Sequence, residues 1–141
     1  MYRFQTSIHA RHPQATEGLT VEVRGLALTT LQLPRDGSLT PLAVSFEEVA
    51  ALLAPLPRMF IEPDGSFVWT SDGRDPAWQL DGVLYDAAGR LMYVELKGSC
   101  PVGQFDQLLA AVKRPSGELM FQLIAEGVYL GEAEFRSYAR R

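Results

Sequence analysis

The chain has 141 residues, a formal net charge of −4 and 47% hydrophobic residues, enough for one domain (1–141) with a real core and the balance of an ordinary globular protein. No apolar run approaches the length of a membrane span, and MYRFQTSIHARHP lacks the apolar segment of a signal peptide, so no membrane association and a cytoplasmic location are the expectation. A single cysteine, Cys100, excludes a disulfide framework and a cysteine-based zinc site, and the acidic balance counts against tight, non-specific duplex binding.

Tyr2 to Ala10 and Thr20 to Leu33 read as strands joined by the polar stretch His12 to Gly18, an N-terminal hairpin over 1–34. Val21 and Val23 alternate with Glu22 and Arg24, the pattern of a half-buried strand. His9 and His12 lie near this start and read as surface histidines, since Pro13 and a strand-like pattern argue against a helical metal pair. After the turn cluster Pro34 to Ser38, Ser45-Phe46-Glu47-Glu48 forms a capping box, with Val44 and Val49 placed as a staple. Phe46, Val49, Ala50 and Leu53 make one apolar helix face, and Pro55 and Pro57 end the helix.

Met59–Ile61 and Phe67–Thr70 flank a turn at Glu62 to Ser66 and predict a hairpin. The polar loop Ser71 to Ala77 leads into WQLDGVLYDAAGRLMYVELKG, Trp78 to Gly98, two strands joined by Asp86-Ala87-Ala88-Gly89. Read as a type I turn with a glycine bulge, that loop pairs Asp86 with Arg90 and puts Asp81 opposite Glu95. Gln79, Asp81, Glu95 and Lys97 then share one face. Facing carboxylates repel, so a cation is expected beside them. Val83, Tyr85, Leu91 and Tyr93 are expected to continue this face under a helix.

Pro101 suits the first turn of a second helix capped by Ser99 or Cys100, with a buried stripe of Phe105, Leu108, Leu109 and Val112. Pro115-Ser116-Gly117 ends it, and Lys113-Arg114 makes a small basic patch beside that of Arg136, Arg140 and Arg141. Leu119 to Ile124 is a near-continuous apolar run, expected for a strand covered on both faces. A polar helix over Glu132 to Tyr138 closes the chain.

Helix, three-stranded meander, helix and buried strand over 45–130, with Asp81 in LDG and Glu95 and Lys97 in VELKG, resemble the core of the PD-(D/E)XK nuclease superfamily. The resemblance implies an α+β fold: a mixed sheet whose antiparallel meander is flanked by helices, a restriction-endonuclease-like αβββαβ core carrying the added N-terminal hairpin. It implies metal-dependent phosphodiester hydrolysis on nucleic acid. Asp81 and Glu95 would bind Mg²⁺ or Mn²⁺ with Glu47 from the first helix, while Lys97 orients the attacking water and Gln107 or Gln104 joins from the second. Leu80 stands where the family's name has proline, and no clear tyrosine follows the glutamine. A homo-oligomer or a protein partner would supply the basic surface that this chain lacks. The alternative is a non-catalytic α+β binding module, for which Phe60, Phe67, Trp69 and Trp78 are either an aromatic patch or simply core.

Overall fold

A computed structural model describes residues 1–113 and 117–141; the expected helix stop at Pro115-Ser116 and the basic patch at Arg114 lie outside the described residues. The elements run β1 (Tyr2–Ala10), β2 (Thr16–Val23), β3 (Leu26–Gln32), α1 (Phe46–Leu53), β4 (Met59–Ile61), β5 (Ser66–Thr70), β6 (Gln79–Ala87), β7 (Arg90–Cys100), α2 (Val102–Val112), β8 (Leu119–Leu123), β9 (Val128–Gly131) and α3 (Glu132–Ala139). The protein is α+β, with one nine-stranded sheet in the order β2-β3-β9-β8-β1-β7-β6-β5-β4.

Local chemistry accounts for the helices. Ser45 Oγ accepts from Glu48 N while Glu48 reaches back to the Ser45 backbone, closing the capping box. Val49 and Leu53 of α1, and Phe105, Leu108, Leu109 and Val112 of α2, are buried, as their helical spacing requires. β7 runs through Cys100 before Pro101 opens α2, so the expected Ser99 or Cys100 cap does not form.

Every described strand pairing is antiparallel, so the expected mixed sheet is not what forms. A parallel neighbour for β7 would have to be β8, and β1 occupies that place, pairing with β7 on one side and β8 on the other. The N-terminal residues are therefore not an appended hairpin. Two strands also arise where one was expected, because Arg24 and Gly25 both adopt positive φ, 53° and 74°, and turn the chain between β2 and β3.

All three helices lie on one side of the sheet. Tyr2 and Phe4 of β1 meet Phe105 of α2 edge-on at 5.2 and 5.5 Å, and Phe121 of β8 stacks on Phe135 of α3 at 4.4 Å. Leu80 and Leu84 of β6 and Val94, Leu96 and Cys100 of β7 join this core with Val49 and Leu53 of α1. Side chains alternate across a strand, so the intervening residues of these strands form the opposite face, which carries no helix.

Candidate functional site

The register places the charged residues on that helix-free face in rows running across the strands. One row reads Phe60, Val68, Asp81, Lys97 and Gln5; the next reads Ser66, Val83, Glu95, Ser7, Gln122 and Tyr129; the next Tyr85, Tyr93, then His9 beside Met120. Asp81, Glu95 and Lys97 do share a face, as the sequence predicts. Their pairing differs: Asp81 lies opposite Lys97, and Glu95 opposite Val83, so the carboxylates are diagonal neighbours, about 7–8 Å apart at the backbone.

The turn explains the shift. Ala88 and Gly89 take φ of 52° and 76°, a two-residue loop that pairs Ala87 with Arg90, and the register slips between Tyr85 and Asp86. The bulge also turns Leu91 to the helix side, where it is buried, while Tyr85 stays on the open face. The helix-covered apolar half expected around Tyr85 and Tyr93 is therefore on the other side of the sheet.

Gln79 Nε2 donates to Asp81 Oδ1 at 2.9 Å. Among the described residues, Lys97 makes no ion pair with either carboxylate, so a Lys97 bridge between Asp81 and Glu95 does not form. Glu47 rides on α1, across the sheet from Asp81, and cannot complete a metal site with Asp81 and Glu95. Among the described residues no group of three or more His, Cys, Asp or Glu side chains is placed to hold an ion. Gln107 and Gln104 belong to α2 and line a cavity at the sheet end with Arg58 and Trp78. They do not join Asp81 on the open face.

The centre of the open face contains residues that sequence reasoning passed over. His9 is 2% and His12 9% exposed, so neither is a surface histidine. Tyr93 and Tyr129 flank the His9 ring at centroid distances of 5.1 and 5.6 Å, and Tyr85 stacks on Tyr93 at 4.7 Å. His9 Nε2 lies 2.7 Å from Ser7 Oγ, which in turn donates to Gln122 Oε1 at 3.3 Å. With the hydroxyl proton committed to Gln122, the imidazole donates through Nε2. Its Nδ1 lone pair is left buried and without a partner among the described residues. Burial holds the imidazole neutral, with its pKa down to about 4. The alternation Arg3, Gln5, Ser7, His9 on β1 was the available signal, since its period of two already marks a polar face.

Trp69 and Phe67 are 2% and 3% exposed, whereas Phe60 is 61% exposed. The β4–β5 hairpin therefore presents a single exposed ring rather than an aromatic patch. Comparison with protein-family models, curated proteins and solved structures finds no match.

Proposed function

We propose that this chain is a non-catalytic binding module whose working surface is the open sheet face, and that this face receives an arginine from a protein partner. The observation that carries the reading is the stacked Tyr85–Tyr93 pair, inclined at 29°, with Glu95 two residues along the same strand face. Ring faces attract a cation, and an adjacent carboxylate accepts the guanidinium hydrogen bonds. Tyr93 already senses its neighbours: its phenol pKa is raised by burial first, then by Tyr85 and Glu95. Asp81 and Lys97 add one charge of each sign in the next row. A polyanion gains little from such a surface, whereas a polypeptide of mixed charge finds complementary partners. The net charge of −4 acts in the same direction.

A short arginine-rich peptide tests this by NMR titration. Saturable shifts at Tyr85, Tyr93 and Glu95 are expected, weaker with the lysine analogue and lost in Glu95→Gln. Equal losses in Glu95→Gln and in the remote Asp72→Asn would mean diffuse charge attraction and overturn the reading.

One observation favours a second reading, metal-dependent phosphodiester hydrolysis of the PD-(D/E)XK kind: Asp81, Glu95 and Lys97 stand on one face within one register step. A hard divalent cation accepts as few as one or two carboxylates with water completing its shell. Mn²⁺ calorimetry separates the two readings. Saturable heat that Asp81→Ala abolishes supports the second, and no saturable heat supports the first.

A further inference from the structure

At the end of the sheet, between the segment after β5 and the first turns of α2, lies a cavity of about 500 Å³, within the size range of small-molecule sites. Both tryptophans of the chain line it. They meet edge to face, centroids 5.4 Å apart. Trp69 is buried and its indole N–H is already spent on Pro57 O at 2.9 Å, so it offers only apolar wall. Trp78 is partly buried, packs against the core and leaves part of its ring on the cavity.

Some of the polar groups around these rings have no partner among the described residues. Gln104 and Gln107, one helical turn apart on α2, both line the cavity. Neither side-chain amide has a hydrogen-bond partner among the described residues, and the Trp78 indole N–H likewise has none there. Arg58 sits at φ 63°, a left-handed conformation that is strained for a long side chain. Its Nε donates to Ser71 O at 2.7 Å, and the two terminal nitrogens of the fork have no partner among the described residues. Arg74 is matched by Asp72 at 3.3 Å; Asp75 also lines the cavity, and Arg58 forms no ion pair among the described residues.

We propose that this cavity binds a mononucleotide. The heteroaromatic base lies against Trp78, Gln104 and Gln107 read its edge, and the phosphate meets Arg58. A primary amide presents a donor and an acceptor side by side, the same pairing that a purine or pyrimidine edge displays. Stacking on an indole holds any base, and the guanidinium fork holds one phosphate. A single phosphate also suits a chain of net charge −4 better than a long polyanion, whose repulsion grows with each added phosphate. The site uses none of the residues of the open-face reading and goes beyond it.

Because the only two tryptophans line the cavity, intrinsic fluorescence reports directly on occupancy. Titration of the full chain with AMP, GMP, CMP and UMP should give saturable quenching for at least one of them. Gln107→Ala should weaken that nucleotide about tenfold, the effect of about 1.4 kcal/mol from one lost hydrogen bond. Arg58→Gln should weaken the nucleotide while leaving the matching nucleoside unchanged. Thermal unfolding of both variants confirms that the chain still folds. The proposal is overturned if no mononucleotide saturates in the millimolar range, or if binding is indifferent to Gln104→Ala and Gln107→Ala. Quenching by a single-stranded oligonucleotide but by no mononucleotide overturns it equally, since the site would then follow a strand and not one base.

Discussion

Gly98 connects the candidate face to the fold through backbone alone, and Gly98→Ala is the sharpest test of the register. Gly98 lies next to Lys97 on β7, opposite Leu80, with φ of 135°. A Cβ there would stand 2.1 Å from Gln79 O, 3.1 Å from Gln79 C and 3.3 Å from Leu80 Cα. These atoms are main chain of β6, so no rotamer change can clear the overlap, and the strands must part by about 1 Å to reach ordinary contact. Strain at the disallowed φ costs about 1–3 kcal/mol, and overpacking a filled site adds about 1–3 kcal/mol. The combined loss of about 2–6 kcal/mol, centred on about 4, is a large part of the 5–15 kcal/mol typical of a domain.

Urea unfolding followed by tryptophan fluorescence measures this loss. With a slope of about 2 kcal/mol per molar, the midpoint should fall by about 2 M. Gly89→Ala is the control, because Gly89 also has positive φ, 76°, yet a Cβ there meets nothing within 4 Å. That variant should lose only about 1 kcal/mol. Equal midpoints for the two variants would refute the close approach of β6 and β7 at Gly98, and with it the pairing of Asp81 with Lys97.

Two further outcomes follow from a buried and a half-buried polar group. His9 is neutral in the fold, with its pKa lowered by burial to about 4, whereas the unfolded chain protonates near its usual value of about 6.5. The unfolded state therefore binds the extra proton between those values, and stability falls as pH drops from about 6.5 to about 4, by about 3 kcal/mol in all. Above that window His9 contributes no slope. His9→Gln should flatten the stability profile there in a pH series of urea melts, and an unchanged slope would contradict the buried neutral imidazole. Arg136 donates to Asp106 at 2.8 Å, Glu132 at 3.1 Å and Tyr2 Oη at 3.3 Å, and lies over the Phe105 ring, 5.1 Å from its centroid. Arg136→Met should cost about 1–3 kcal/mol, with Arg136→Lys recovering little because the ammonium cannot reproduce the planar fork. Thermal melts of both variants check this, and full rescue by lysine would reduce the contact to simple charge.

Part of the candidate site was legible because strand parity is a local property. The two-residue loop at Ala88-Gly89 and the bulge next to it each shift the register by one, and the total of two leaves the side chains beyond the bulge on their expected face. Asp81, Glu95 and Lys97 therefore stay together although each acquires a different neighbour. Only the family pattern puts Glu47 and Gln107 at the same site. Where they stand depends on which side of the sheet α1 and α2 pack, and nothing in their own segments encodes that.

By itself the sequence determined those features that a few adjacent residues settle. The Ser45/Glu48 box starts α1, the Phe105/Leu109 stripe buries α2, and Pro63 and Gly65 shape the turn between β4 and β5. Each rests on contacts within one or two turns of chain. Only the tertiary structure decided that β1 enters the middle of the sheet, between β7 and β8. That choice buries His9 among Tyr93, Tyr129 and Met120. Strands of similar alternation can exchange neighbours at little local cost, so their order is fixed by burying one shared apolar face under three helices, a condition that belongs to the whole chain.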